Sequence, residues 1–220
     1  MIRVEPFFGA MQESWESFPN FKSTVDTLGH RTFLSQPTSV FQGNAIFAHP
    51  KAGIYEPNTA NYYLGSSGPA QVFDGDKGVG LASTGPQVLP EFIESASITF
   101  LSPITSFGGY WGAGTDYLYD PEIIEFQFFD ANDNRIGIDA VVYTRSFLVN
   151  EDQMIFWGDG ELQWIGWQFD VPMKRVVFGG GAIVADFLQA NPVPEPSSLI
   201  LLTTIALLTA HNCVAFRRLR

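Results

Sequence analysis

The segment 123–130, IIEFQFFD, alternates apolar and polar residues with the two-residue period of a β-strand. One face is apolar and consists of Ile124, Phe126 and Phe128. The other face is polar and contains Glu125 and Gln127. The run DANDN at 130–134 is rich in turn-forming residues, and 136–144 is apolar enough to be a partner strand. The sequence therefore predicts an antiparallel hairpin with one buried aromatic face.

The same alternation recurs along the chain, whereas no helical period of useful length precedes the C-terminal tail. In 161–171 the two faces hold Ile165, Trp167 and Phe169, and Leu162, Trp164 and Gln168. Further strands are predicted at 15–18, 39–47, 71–73, 79–82, 95–101, 176–178 and 182–188, with turns at Gly108-Gly109 and at 179–181. Eight to ten short strands favour an all-β fold, an antiparallel β-sandwich or jelly roll, over residues 14–190. Residues 1–13 are predicted to be irregular.

Charge and cysteine content exclude several classes of protein. The chain has 12 basic and 23 acidic residues, a net charge of −11, which is unsuited to binding the phosphates of nucleic acid. Cys213 is the only cysteine, so the chain can form no internal disulfide and no thiolate zinc cluster.

The C-terminal tail has three parts. Residues 191–197 form a Pro-rich linker, and 198–216 is a run of 19 residues without Asp, Glu, Lys or Arg. As a helix this run rises about 28 Å, close to the thickness of a bilayer's hydrocarbon core. The tip 217–220 carries Arg217, Arg218 and Arg220, which predicts a cytoplasmic C-terminus and a body across the membrane. The alternative, a buried core helix, is disfavoured by the length of the run.

These three parts resemble the PEP-CTERM sorting signal of exopolysaccharide-producing bacteria. The resemblance covers about 28 residues: the motif Val193, Pro194, Glu195 and Pro196, then the apolar span, then the arginines. It implies recognition by an exosortase, a membrane-embedded cysteine transpeptidase-like enzyme that cleaves near the motif and removes the tail. The protein is then expected first in the membrane and afterwards at the cell surface or outside the cell.

Export also needs an N-terminal signal, and MIRVEPFFGAMQESWES contains no apolar run of suitable length. Either the gene start lies further upstream or the helix is a tail anchor with a cytoplasmic body. The terminal arginines favour the first explanation.

The body itself resembles the β-sandwich ectodomains found upstream of such tails, similar to galactose-binding-like jelly rolls. The resemblance is one of pattern, carried by the segments 98–100, 107–111, 126–130, 165–167 and 185–187.

Aromatic residues suggest a carbohydrate-binding module as an alternative function, with exopolysaccharide as the ligand. Sugar rings stack on exposed aromatic faces, and the candidates are Tyr110, Trp111, Tyr117 and Trp164. The competing interpretation is that these rings belong to the core or anchor loops.

Calcium is a second candidate ligand. Asp74 and Asp76 share one Gly-rich loop, and Asp130, Asn132 and Asp133 crowd one turn. Neither loop has the spaced Glu of an EF-hand, and the favoured alternative is that Asp, Asn and Gly simply make turns.

No nucleophile–base set or phosphate-binding loop is visible, so we expect a non-enzymatic protein that needs no cofactor. A secreted glycan hydrolase is a weaker alternative, using a carboxylate pair such as Glu122 with Glu125 or Asp116 with Asp120.

Overall fold

The computed structural model describes residues 1–18, 37–49, 52–55, 74–75, 77–81, 95–114, 122–143, 149–150, 153–154, 162–180 and 182–194. In these ranges the regular structure is β-strand, apart from a short 3₁₀ turn at Phe41–Gly43. The strands are β1 (Ile2–Arg3), β2 (Met11–Glu13), β3 (Thr38–Val40), β4 (Ala45–Ala48), β5 (Ala52–Tyr55), β6 (Gly78–Leu81), β7 (Ala96–Gly114), β8 (Glu122–Phe129), β9 (Arg135–Tyr143), β10 (Val149–Asn150), β11 (Gln153–Met154), β12 (Gln163–Gly180) and β13 (Ala182–Pro192). Their pairings are antiparallel, which confirms the predicted all-β antiparallel class.

Within these ranges no helix has both the length and the apolar character of a membrane span. The predicted span 198–216 lies outside the described residues, as does the rest of the tail after Pro194.

Eleven of the strands form one sheet, which folds over on itself into two layers. The back layer contains β9, β8, the second half of β12, the first half of β7, and the β3–β4 hairpin. The front layer contains β1, the first half of β12, the second half of β7, and β13, with β2, β6 and β5 beyond it. The two layers make a β-sandwich.

The fold-over occurs inside the two longest strands, β7 and β12, which have 19 and 18 residues. Their mutual register shifts between Gln168 and Met173. Pro172 lies in this interval and has no N–H to contribute to the ladder. The sequence predicted two separate strands here, 161–171 and 176–178, but β12 bends and continues.

The space between the layers is filled by aromatic rings. Trp167 of the front layer lies 4.7 Å from Phe126 and 4.8 Å from Phe128, centroid to centroid, and both belong to the back layer. The largest fully buried side chains are Trp15, Trp111, Trp167, Phe41, Phe47, Phe100, Phe107, Phe126 and Phe128. The predicted inward faces of 123–130 and 161–171 are confirmed by this packing.

The first 13 residues, predicted to be irregular, contain β1 and β2. Arg3 in β1 pairs with Trp167, and its side chain reaches β9, donating from Nε to Asp139 at 2.6 Å and from Nη2 to the Ala140 carbonyl at 3.2 Å. β1 therefore joins the edge of the front layer to the edge of the back layer. Strands of two or three residues offer too few alternations to be predicted.

Three other local predictions are wrong. Residues 15–18 form a turn closed by the Phe18 N–H on the Trp15 carbonyl, and 39–47 is a hairpin instead of one strand. Gly108 and Gly109 lie within β7 instead of forming a turn. Of the predicted turn at 179–181, Gly179 and Gly180 are the last residues of β12, and Gly181 lies outside the described residues.

Candidate functional site

Tyr110 and Trp164 lie side by side on the outer face of the front layer. They are direct cross-strand partners between β7 and β12, with ring centroids 5.5 Å apart and planes at 70°. Both are half-buried, whereas the residues after them, Trp111 and Ile165, point inward and are buried. The alternation that builds the core thus also places one aromatic pair at the surface.

The same row continues onto β13, where Asp186 is paired with Tyr110. We call Trp164, Tyr110 and Asp186 the outer-face row. Asp186 is fully buried, and its carboxylate accepts the N–H of Phe187 at 2.6 Å and the N–H of Asp74 at 2.9 Å. Phe187 has a φ of 45°, in the left-handed region, at a shift in the register of β13. The carboxylate therefore stabilises this irregularity and holds residue 74 beside the row.

Two glycines form the floor under the Trp164 indole. A Cβ on Gly108 would lie 2.7 Å from Cζ2 of Trp164, and a Cβ on Gly166 would lie 2.9 Å from its Nε1. Real Cβ atoms do not approach other atoms so closely, so the ring position requires glycine on both strands. This close approach explains why β7 and β12 carry glycine at paired positions, Gly166 opposite Gly108.

Residues 4–10, which we call the N-terminal strap, run across the outer face next to the row. At one end the strap is joined to β12: Val4 N–H donates to the Gly166 carbonyl at 3.0 Å, and Trp164 Nε1 donates to the Val4 carbonyl at 3.1 Å. Phe7 then packs on Trp164, with centroids 5.4 Å apart and planes at 88°. The indole is held by the strap above as well as by the glycines below.

At its other end the strap is joined to β13. Gly9 N–H donates to Oε1 of the buried Gln189 at 2.6 Å, and Ala10 N–H donates to Oδ1 of Asn191 at 2.9 Å. A Cβ on Gly9 would lie 2.7 Å from the Ala190 nitrogen, so the strap backbone rests directly on β13. The strap therefore spans from β12 to β13 and crosses the layer beside the outer-face row.

Among the described residues, three acids lie at or beside the row. Glu5 on the strap and Asp74 at the β13 end are exposed, and Asp186 is buried. Lys77 points elsewhere, since its Nζ donates to the carbonyls of Glu16 and Phe18. Burial raises the pKa of the Tyr110 hydroxyl above its ordinary value of 10.0, so this phenol stays neutral at physiological pH.

The four residues predicted to bind sugar have different places in the structure. Tyr110 and Trp164 are brought together at the surface. Trp111 is fully buried against Phe126 and Phe178, each 5.0 Å away, so its predicted stacking role is corrected to a core role. It belongs to the core because it occupies the opposite face of β7 from Tyr110. Tyr117 lies outside the described residues.

Sequence reasoning missed the strap, Phe7 and Asp186. The contacts of the strap join residues roughly 160 to 180 positions apart, such as Trp164 with Val4 and Gln189 with Gly9, and Asp186 bonds to residue 74, which is 112 positions away. No local pattern carries that information. One signal was available: glycines at 108 and 166, within segments that otherwise alternate, mark a close approach by a large side chain.

The predicted calcium residues at 130–133 form a turn. The Asp130 carboxylate accepts the N–H groups of Asn132 and Asn134 at 2.8 and 2.9 Å and the Asn134 side-chain amide at 3.0 Å. The side-chain and backbone hydrogen bonds from Asn134 lower the pKa of Asp130. Asp133 forms an ion pair with Arg175. This geometry is that of the turn-forming alternative.

In the other predicted calcium loop, Asp74 is exposed and Asp76 lies outside the described residues. The part of the chain that the structure describes contains no group of three or more His, Cys, Asp or Glu side chains placed to hold a metal ion.

Two residues of the predicted sorting motif can be located. Val193 donates its N–H to the Pro103 carbonyl at 3.1 Å, and Pro194 follows it as an exposed residue. The remaining residues of the tail signal, Glu195, Pro196, Arg217, Arg218 and Arg220, lie outside the described part of the chain.

Comparison with known proteins yields likeness of fold. No protein-family model matches this chain, and no curated protein matches it. Among solved structures, a DUF4465 family protein from Bacteroides caccae is similar, with 13% identity, a TM-score of 0.45, and coverage of 84% of this chain and 93% of that one. The CBM22-1 xylan-binding domain of Xyn10C from Paenibacillus barcinonensis is 11% identical over 86% of this chain and 99% of that one, with a TM-score of 0.38. The enzymatically active domain of tailspike protein 4 from bacteriophage CBA120 is 14% identical over 67% of this chain and 19% of that one, with a TM-score of 0.31. Each TM-score lies below 0.5, so these likenesses assign no function to this chain.

Proposed function

We propose that this protein is a cell-surface β-sandwich that binds polysaccharide on the outer face of its front layer. The observation that carries the proposal is the half-buried pair of Trp164 and Tyr110. The indole is fixed by the Val4 carbonyl and by the glycine floor, so its orientation is set before a ligand arrives. A sugar ring can stack its C–H face on such an aromatic surface, and the neutral Tyr110 hydroxyl can hydrogen-bond to sugar hydroxyls.

The role proposed is one of binding, with no catalytic residue assigned, and the scaffold is proposed to be a jelly roll of the galactose-binding type. The competing role is purely structural: Trp164 and Tyr110 would then serve only to fasten the strap, and the protein would retain no sugar.

Affinity electrophoresis through gels containing soluble polysaccharides separates these two roles. We expect the full-length protein in detergent to be retarded by at least one polysaccharide of a panel of glucans, galactomannan and polygalacturonate. Trp164→Ala and Tyr110→Ala should each reduce the retardation. Phe129→Ala is the matched control, because Phe129 is a half-buried aromatic residue on the back layer, stacked under Arg175 at 4.1 Å. Retardation that is absent throughout, or equal in all variants, would refute the binding role.

We further propose that the C-terminal tail sorts the protein, with an exosortase and membrane lipid as its partners. The support is the order of motif, apolar span and arginines in the sequence, together with the position of the motif relative to the fold. The Val193 N–H still bonds to the Pro103 carbonyl, so the motif 193–196 follows the sandwich without a spacer. The mature protein is proposed to reach the cell surface or the extracellular matrix after the tail is removed.

The mass of the protein recovered from cells tests the sorting proposal. In a host with a working exosortase we expect loss of the tail, and Glu195→Ala should preserve the full mass in the membrane fraction. Glu5→Ala, which changes an exposed acid far from the motif in sequence, is the control and should be processed normally. An uncut wild type in that host, with Glu195→Ala indistinguishable from it, contradicts the proposal.

A further inference from the structure

Phe8 is the most exposed large apolar residue of the described chain, with 87% of its surface accessible. It lies on the N-terminal strap directly after Phe7, which packs on Trp164. Consecutive Cα atoms are about 3.8 Å apart, so the exposed ring is attached close to the outer-face row. An isolated exposed phenylalanine is common on protein surfaces and needs no explanation. Phe8, however, is attached next to a surface group of three aromatic rings, Phe7, Trp164 and Tyr110.

The backbone that carries Phe8 is held on both sides. The preceding residue, Phe7, packs against the Trp164 indole. The following residue, Gly9, donates its N–H to Gln189 and lies in close contact with Ala190. The Phe8 ring is thus presented to solvent from an anchored backbone. A ring presented in this way loses less conformational freedom on binding than a ring on an unanchored terminus.

The charges of this region restrict the ligand. Glu5 on the strap and Asp74 at the far end of the row are exposed acids, and the whole chain carries a net charge of −11. A glycan rich in uronic acids or sulfate would be repelled by these groups, whereas a neutral glycan would not.

From these observations we propose that the N-terminal strap forms one wall of the polysaccharide site, that Phe8 supplies a stacking surface beside Trp164, and that the site selects neutral over acidic glycan chains. The inference rests on the polysaccharide binding proposed above. It assigns to residues 4–10 a part in recognition besides their part in the fold.

The test compares binding constants for a soluble neutral β-glucan, galactomannan and polygalacturonate, measured with the full-length protein in detergent. Phe8→Ala should weaken binding of the neutral polysaccharide about three- to tenfold, because one aromatic contact is lost. Leu101→Ala is the control, since Leu101 is also an exposed apolar residue, 61% accessible, and lies in the back-layer half of β7. Gln189→Ala, which removes the acceptor for Gly9, should weaken binding as well, and its unfolding curve reports any loss of the fold.

The outcomes are separable. If Trp164→Ala abolishes binding and Phe8→Ala binds like the wild type, the strap inference is overturned while the proposed function stands. If the wild type binds none of the three polysaccharides, the proposed function itself fails. Equal affinity for polygalacturonate and the neutral chains overturns the selectivity for neutral glycans. Weaker binding by Phe8→Ala, with Leu101→Ala unchanged and the neutral chains preferred, supports the inference.

Discussion

The inner and the outer face of the front layer use the same residue types for different purposes. On the inner face Trp167 stacks on Phe107, with planes 10° apart, and packs against two phenylalanines of the back layer. On the outer face Trp164 lies on two glycines under the strap and stays half-buried. Aromatic character alone therefore does not decide a residue's role in this sheet. Among the described residues, the decisive factor is whether the second layer or the strap covers it.

The largest expected effect comes from removing a ring of the inner face. Trp111→Ala should lower the free energy of unfolding by about 3–5 kcal/mol, because it leaves a large cavity against Phe126 and Phe178. Tyr110→Ala, one residue earlier on the outer face, should cost only about 1 kcal/mol. Chemical denaturation of the two variants measures the contrast, and equal losses would mean that the two faces are equivalent.

The glycine floor offers a way to disturb the outer face alone. Gly108→Ala should cost about 1–3 kcal/mol and displace the Trp164 ring, since the new Cβ would meet it at 2.7 Å. Intrinsic tryptophan fluorescence and polysaccharide retention should change together. Gly137→Ala is the control: its Cβ would meet the flexible Met1 side chain at 2.9 Å and Cδ2 of Phe128 at an ordinary 3.6 Å, so the variant should unfold like the wild type. A Gly108→Ala protein with unchanged fluorescence would contradict the described position of the indole.

The indole N–H groups of Trp164 and Trp167 have different acceptors, and only the acceptor of Trp167 can titrate. Trp164 Nε1 donates to a carbonyl, but Trp167 Nε1 donates to the Asp139 carboxylate at 2.7 Å. Burial pushes the pKa of Asp139 upward, yet the hydrogen bonds from Arg3 and Trp167 and the positive charge of Arg3 outweigh it, so the pKa lies below 3.8. The folded state therefore binds this proton less readily than the unfolded state. The resulting stabilisation is present above pH 4 and is lost as the pH falls through the pKa of the folded state.

We expect Asp139→Asn to lower the free energy of unfolding by about 1 kcal/mol at neutral pH, because an ion pair at a half-exposed position is replaced by neutral contacts. The difference from the wild type should shrink below pH 4. Unfolding curves at pH 7 and pH 3 measure it. A difference that is constant over this range would show that Asp139 does not titrate as its contacts imply.

The smallest effect is expected from cutting the tail. A chain ending at Pro194 keeps β13 and the Val193 bond to Pro103, so all the pairings described above remain. Its unfolding free energy should match that of the full chain within about 0.5 kcal/mol. A chain ending at Leu188 loses the pairings of Gln189 and Ala190 with β2 and β7 and should be much less stable. Equal stability of these two truncations would refute the assigned end of the sandwich.

Most of the core was predictable from the sequence. Ile124, Phe126 and Phe128 were assigned to one face because an extended backbone turns its side chains alternately, and they are fully buried. The bends were not predictable. In β12 the large buried side chains are odd-numbered up to Met173 and even-numbered from Val176, with a register shift between Met173 and Arg175. A rule of strict alternation cannot anticipate such a break.

Half of the candidate site was predictable. Tyr110 and Trp164 were selected as aromatic residues with possible outward orientation, but nothing local distinguished Tyr110 from Trp111 without the register of β7. Asp186 and the strap were missed because they reach the row only through pairing between distant strands and through hydrogen bonds such as Gly9 to Gln189.

The amino-acid order alone decided the fold class and the inward faces of β8 and of the first half of β12, because both depend on residues that are neighbours in the chain. The tertiary structure decided which aromatic residues remained at the surface and what bordered them. Strand register and the path of the strap bring together residues more than 150 positions apart, and the free energy of those contacts appears only when the sheet has formed.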